Sequence, residues 1–374
     1  MISLSSIIET FVSDFITLYH GSILPSQFKA LRAMKDCRTT QSRVMLTQCN
    51  DCEKHDFVPH SCGNRNCPHC QSHECQQWLE RQLKKEVPAD YFMLTFTIPR
   101  ELRSLVWQNQ RLLYSAMTQC CWETVKTFVQ NDSTLQGSAG AITVLHTHSR
   151  SLDYHPHVHL VMPAGAINQK KMLWRSKKGE GKKKKRYLFN HKAPAKVFRA
   201  KMLAAVNKAA LTLPVNYPKT WVVDCKFVGN GEKALIYLGR YLYKGVIQEK
   251  DIIACKDGQV TFQYQDSKSK KMLTRTLPGP RFLRLILQHI LPKGFRRTRN
   301  FGFLHPNSKR LIALLQYLTG INPNKARIWF RERPKLTCKC CGGIMRIIKT
   351  MIPPSHRFMP LAYTLAKEEA VLVM

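Results

Sequence analysis

The chain of 374 residues carries 59 Lys and Arg against 24 Asp and Glu, a formal charge of +35. A folded surface that basic selects polyanionic partners, nucleic acid first, and 44% hydrophobic residues exclude a disordered basic tail. The length excludes a small disulfide-stapled scaffold, and the absence of a long uncharged apolar run speaks against a membrane-spanning helix.

Residues 1–35 read as an N-terminal helical segment, with Ile7, Ile8, Phe11, Phe15 and Ile16 at helical spacing. Glu9 and Asp14 interrupt it and no basic stretch precedes it, so a packing helix is expected rather than a signal peptide, and the protein is expected in the cytoplasm. Fourteen cysteines there are reduced thiols, and seven of them fall between Cys37 and Cys75. That stretch is polar and aperiodic, as a module folded around metal requires. Residues 36–87 are therefore read as a zinc-binding DNA-recognition module, closed by a charged helix over 76–87 that Pro88 stops.

Within it, Cys49-Asn-Asp-Cys52 and Cys67-Pro-His-Cys70 are two CxxC pairs. Each pair can present two thiolates, so Cys49, Cys52, Cys67 and Cys70 are expected to hold one structural Zn²⁺. Cys37, Cys62, His55, His60, His69 and Cys75 remain for a second site or, for Cys75 especially, as small buried hydrophobes. The HxE and PCxxC pattern of a zinc deaminase is absent. Arg43, Lys54 and Arg65 around the cysteines suit a DNA reader.

Residues 88–250 are expected to form an α+β catalytic domain on an antiparallel sheet. A strand at 91–98 ends at Pro99, a helix in one or two segments covers 102–130, and strands at 141–148 and 154–162 form a hairpin through the polar link 149–153. Residues 170–186 carry ten Lys or Arg and one Glu, read as a mobile basic loop or a solvated charge run. Helical pattern returns at 195–211 and 233–243. Residues 251–374 make a basic C-terminal region: short strands, a basic segment at 293–299, a helix at 309–318, and a small cysteine group at 338–341 that could bind a further metal, with Cys225 or Cys255. No internal repeat is present.

Five of the fourteen histidines lie between 146 and 159. On a strand, His155, His157 and His159 share one face, and the hairpin brings His146 beside His157 and His159. Three imidazoles there are expected to bind one divalent cation. Zn²⁺ or Mn²⁺ suits an all-histidine set, and Mg²⁺ suits an ion completed by phosphate oxygens and water. On the helix at 233–244, Leu235, Leu238 and Leu242 fall on one side, and Tyr237, Arg240, Tyr241 and Lys244 on the other. Two phenols one turn apart beside cations are candidate nucleophiles, since a phenol with a pKa of about 10 needs a nearby positive charge to attack as phenolate. Read alone, the same helix equally allows two tyrosines at a domain interface.

The strand YFMLTFTIP at 91–99, His157-Val-His159 and the downstream tyrosine helix resemble the ordered motifs of HUH endonucleases. His146-Thr-His-Ser-Arg-Ser-Leu-Asp followed by His157-Val-His159 also resembles the three-histidine pattern of conjugative relaxases. More specifically, CRT at 37–39, CGNRNCPHC at 62–70, HPHVH at 155–159, YLGRY at 237–241 and RNFGFL at 299–304 resemble the ninety-one family of bacterial insertion-sequence transposases, over about residues 30–345. The resemblance implies a two-tyrosine rolling-circle enzyme with an HUH fold, in which Tyr237 and Tyr241 match the paired tyrosines. Tyr243 adds a third phenol, and the lysine-rich loop is longer than the family leads one to expect.

The expected reaction is nicking and rejoining of single-stranded DNA at element ends and target, through a 5′-phosphotyrosine. A cation of Mg²⁺ or Mn²⁺ type on the histidines would stabilise the phosphate's charge, and Arg240 and Lys244 would offset it further. Exchange of one phosphodiester for another needs no ATP, in keeping with the absence of GxxxxGK[ST]. No nucleotide cofactor and no membrane partner are expected. A plasmid replication initiator or relaxase would share this chemistry, and a non-catalytic zinc-dependent regulator would explain charge and cysteines but not HPHVH.

Overall fold

A computed structural model describes residues 2–178, 187–190, 192–243, 245–266, 269–321 and 335–353; the side chains at 72, 240, 241 and 243 lie outside the description. The expected basic loop at 170–186 falls partly outside it, and its described part includes a short strand.

The chain opens with α1 (Leu4–Tyr19), whose Ser3 side chain caps the Ser6 amide and whose Leu4, Ile7, Ile8, Phe11 and Phe15 form one buried stripe. Helix α2 (Pro25–Lys35) starts on Pro25, whose fixed φ and missing N–H suit a first helical position. Strands β1 (Val44–Cys49) and β2 (His55–Pro59) pair antiparallel, so the stretch read as aperiodic contains a hairpin. Next come α3 (Ser72–Leu83), β3 (Tyr91–Thr97), α4 (Arg103–Gln108) and α5 (Gln110–Asn131), then the hairpin β4 (Gly140–His148) and β5 (Tyr154–Pro163). A small ribbon of β6 (Gly165–Asn168) and β7 (Leu173–Ser176) leads to α6 (Lys192–Lys208), β8 (Val222–Gly229) and α7 (Gly231–Tyr243). A meander, β9 (Ile252–Lys256), β10 (Gln259–Gln265) and β11 (Met272–Pro278), precedes α8 (Gly279–Leu287), β12 (Thr298–Gly302), α9 (Lys309–Leu318) and β13 (Met345–Ile352).

The central sheet has the order β12-β4-β5-β3-β8 and is antiparallel throughout. This is the α+β architecture expected from the sequence. Alternation gives the sheet two chemically different faces. Phe92, Leu94, Phe96, Leu145, Val158, Leu160 and Met162 point toward α5 and α6, where Leu113, Met117, Val125, Phe198 and Met202 complete the largest core. The other face carries Tyr91, Met93, Ile142, Val144 and Val161 and is covered by Trp78 of α3 and Ala234, Leu235, Leu238 and Leu242 of α7.

The domain boundaries expected at 36–87, 88–250 and 251–374 are crossed by the packing. Strand β12 completes the central sheet, β13 joins β1 and β2, and α1, α2, α8 and the meander share one core that includes Cys37, Cys67 and Cys70. Gly302 closes β12 at φ +59°, and a Cβ there would collide with the Ala139 carbonyl. Only glycine fits that turn, which accounts for the central residue of RNFGFL.

Candidate active site and metal centres

The register of β4 and β5 pairs His146 with His157 and Val144 with His159, so the three imidazoles occupy adjacent positions on one face. Their ring centroids lie 5.3 Å (146 and 157), 4.6 Å (146 and 159) and 4.9 Å (157 and 159) apart. One ring nitrogen from each can meet the other two within 4.8 Å. His157 Nδ1 donates to the His155 carbonyl at 2.7 Å, and His159 Nδ1 shares a 3.0 Å hydrogen bond with Thr95 Oγ1 on β3. Engaging Nδ1 fixes each ring and makes Nε2 the nitrogen a cation would take, the arrangement typical of metal-bound histidine.

Burial is the main cause that holds the proton affinity of all three below the usual imidazole range. His159 is pushed down to about 3, with His157 and Lys226 as further causes, and His146 feels His159, His157, His148 and Arg297 after desolvation. The set is thus neutral near pH 7, the protonation state that ligation requires. Three preformed neutral imidazoles fit a divalent cation on chemistry and geometry alike. The two other histidines of the cluster serve elsewhere: His155 Nδ1 is bonded by Arg103, and the His148 ring packs against His289 at 5.3 Å.

Helix α7 lies over this same face. Strand β8 ends at Gly229 opposite Tyr91, and its start, Val222, lies opposite Thr97. α7 follows immediately and packs back over β8, β3 and β5, so its last turn approaches the end of the sheet that bears His157. At that end Arg297 links the two parts: its Nη1 donates to the Leu242 carbonyl at 3.1 Å, and its own carbonyl accepts from the Leu145 amide at 2.9 Å. Leu235, Leu238 and Leu242 are buried as the helical spacing predicts, and Tyr237 is 46% exposed. Tyr241 lies on the same helix one turn later; its side chain and that of Arg240, and the whole of Lys244, are outside the described residues. Between the tyrosines, a Cβ at Gly239 would stand 3.3 Å from the Trp78 ring, so the glycine lets α3 pack close against the tyrosine helix.

Several neighbours of the histidines were not singled out in the sequence. Thr95, Asp224 and Lys226 share the histidine face, because β3 aligns Thr95 with both His159 and Asp224. Asp224 and Lys226 form an exposed ion pair of 2.8 Å on the edge strand. The alternation in Val222–Gly229 is the signal that would have revealed this strand; Arg297 carries no local signal.

The cysteine assignment requires correction. Cys49, Cys52, Cys67 and Cys70 do not surround one point. Cys67 and Cys70 stand with Cys37 and Cys62, whereas Cys49 and Cys52 stand with Cys338 and Cys341, and the four sulfurs of each quartet lie within 4.8 Å of one another. The physical reason is the β1–β2 hairpin, which turns between Cys49 and Cys52 and carries that knuckle away from the loop that leads into α3.

In the first quartet, Cys37 Sγ lies 3.3 Å from Cys70 Sγ and 3.6 Å from Cys67 Sγ, close to the roughly 3.8 Å edge of a tetrahedron with Zn–S bonds of about 2.3 Å. S–H···S bonding within it pushes the Cys37 and Cys67 thiols up and holds Cys62 and Cys70 down, as expected when four thiols compete for protons at one point. That donor set fits a structural zinc ion. The remaining candidates are elsewhere: His69 Nε2 pairs with the buried Glu249 at 2.9 Å, His55 and His60 belong to neither quartet, and Cys75, on α3, is half-buried facing α7. Neither Cys225 nor Cys255 joins a metal-binding group among the described residues.

Comparison with known proteins is consistent with this geometry. Residues 7–98 match the family described as "Transposase zinc-binding domain", and residues 140–311 match the family described as "Putative transposase". The chain is 29% identical over 309 residues to "Putative transposase y4qJ" of Sinorhizobium fredii, covering 76% of each chain. It is 27% identical over 301 residues to "Transposase for insertion sequence element IS801" of Pseudomonas savastanoi pv. phaseolicola, covering 77% of this chain and 72% of that one. No solved structure matches, and no described helix is long and apolar enough to cross a membrane. The two family matches together span more than half of the chain, and they contain the histidine strands, the tyrosine helix and the first cysteine quartet: the protein belongs to the ninety-one family of insertion-sequence transposases, DNA-cleaving enzymes with an N-terminal zinc-binding domain.

Proposed function

We propose that this transposase is a two-tyrosine HUH enzyme that nicks and rejoins single-stranded DNA at element ends and target, in rolling-circle fashion. The observation that carries the reading is the shared face: His146, His157 and His159 stand on the side of the sheet that α7 covers. A divalent cation held by the three histidines, Mg²⁺ or Mn²⁺ when phosphate oxygens and water complete its shell, would supply positive charge opposite the scissile phosphate.

The chain's own residues perform the transfer. The phenolate oxygen of Tyr237 or Tyr241 attacks phosphorus, the bond to the 3′-oxygen breaks, that oxygen leaves as a hydroxyl after taking a proton, and the DNA 5′ end remains esterified to tyrosine. One phosphodiester is exchanged for another, so no nucleotide is consumed. Arg240 and Lys244 offset the phosphate's charge and favour the phenolate. The second tyrosine accepts the partner strand. The net charge of +35 holds the DNA backbone, with affinity that falls as salt rises.

The test is a cleavage assay on single-stranded element-end oligonucleotides with the double variant Tyr237→Phe, Tyr241→Phe. DNA binding persists and covalent adducts disappear; adducts that survive in the double variant refute the assignment.

A further inference from the structure

Cys338 and Cys341 lie beyond both matched regions, about 290 residues from the thiols they face. Cys49 Sγ is 3.4 Å from Cys341 Sγ, and Cys52 Sγ is 3.7 Å from Cys338 Sγ. Both distances are too long for a disulfide and near the tetrahedral edge of about 3.8 Å set by zinc.

The two halves of this quartet are built alike. Each is a CxxC knuckle in which the amide two residues on donates to the first sulfur: Asp51 N to Cys49 Sγ at 3.4 Å, and Cys340 N to Cys338 Sγ at 3.4 Å. Amide bonds of this kind stabilise a thiolate and orient it toward a metal. Backbone pairing joins the knuckles where the Asn50 amide donates to the Ile344 carbonyl at 3.0 Å, and the C-terminal knuckle is closed on itself by the Cys338 amide, which donates to the Gly343 carbonyl at 2.8 Å. Gly342 makes the return at φ +76°.

Among the described residues, the sheet β13-β1-β2 that carries these knuckles has only a small apolar core. Its buried cluster is Val44, Leu46 and Ile352, with Phe57 packed alongside. So small an apolar core does not offset the ordering entropy of three strands, and domains of this size need a staple.

We propose that Cys49, Cys52, Cys338 and Cys341 bind a second structural zinc ion, distinct from that of Cys37, Cys62, Cys67 and Cys70, which clasps the C-terminal strand β13 onto the N-terminal hairpin as one zinc ribbon. On binding, the coordinated thiols release their protons to solvent and no redox change occurs. Cys340 is exposed between two ligands and takes no part, which makes it an internal control.

The test uses the full-length chain purified under reducing conditions. After a mild chelator has emptied the histidine site, elemental analysis gives two zinc ions per chain, and the variant Cys338→Ser, Cys341→Ser gives one. In the unmodified chain, iodoacetamide followed by peptide mass spectrometry labels Cys340 readily while Cys338 and Cys341 are protected, and a strong zinc chelator removes that protection. One zinc per chain in the unmodified protein, labelling of Cys338 and Cys341 as fast as Cys340 with zinc present, or a Cys49–Cys341 disulfide in the reduced protein would each overturn the proposal.

Discussion

The histidine face and the cysteine quartets are both sets of metal donors, but they are assembled in opposite ways. The three imidazoles come from neighbouring strands of one hairpin, and their positions follow from a backbone ladder already anchored by a large core on the reverse face. The quartets gather thiols from distant stretches, Cys37 with Cys70 and Cys49 with Cys341, and the second rests on a small apolar cluster. A sheet can hold ligands in place before an ion arrives, whereas thiols brought together from remote segments depend on the ion to keep them there. Metal at the histidines should therefore be exchangeable without loss of fold, and metal at the cysteines should be part of the fold.

The largest effects break one side of this contrast at a time. Replacing Tyr237 and Tyr241 together by Phe is expected to abolish covalent DNA adducts with the thermal melt unchanged. His157→Ala should lower cleavage by more than about a hundredfold, since a ligand matters more than the outer groups whose loss costs roughly ten- to a hundredfold; gel-shift binding of DNA should persist, and a mild chelator should reproduce the loss reversibly. Cys62→Ser, Cys70→Ser, in contrast, should lower zinc content by one ion and shift the melting transition, because structural zinc contributes folding free energy directly. A chelator that silences cleavage and unfolds the protein at one and the same concentration would erase the distinction.

Smaller effects sharpen it. Leu238→Ala removes a buried contact between α7 and the histidine face and should cost about 2–5 kcal/mol by denaturant titration. Thr95→Ala frees the His159 ring and should weaken activating-metal affinity by about ten- to a hundredfold, read from the metal dependence of cleavage.

A further test is pH. His155 and His289 are held down to about 4, and His159 to about 3, all chiefly by burial, against an ordinary value of 6.5. Between pH 6.5 and 4 the unfolded chain binds protons that the folded chain does not. Stability is therefore greatest above pH 6.5 and declines as pH falls toward 4, visible as a falling melting temperature. His289→Gln, which removes one of these groups, should flatten that slope.

The same contrast explains what the sequence reveals. Strand alternation in HPHVH and the leucine spacing on the tyrosine helix are local periodicities, so the sidedness of both elements follows from residue order alone. The cysteine partners do not, because CxxC spacing states that two thiols act together but not which other pair they meet. Proximity in sequence favours joining Cys49 and Cys52 to Cys67 and Cys70; the β1–β2 hairpin separates them, and the turn that precedes β13 supplies the neighbours of Cys49 and Cys52. The partners of the edge strands β8 and β12 are equally hidden, since β3 and β4 lie more than a hundred residues away.

The most direct measurement of the proposed chemistry is to trap the protein with a single-stranded element-end oligonucleotide, digest it, and sequence the nucleotide-bearing peptide by mass spectrometry. A 5′-phosphate ester on Tyr237 or Tyr241, formed only with divalent cation and lost in His157→Ala, is the expected result. An adduct on another residue, or strand cleavage that proceeds with no protein-bound DNA at any stage, would contradict it.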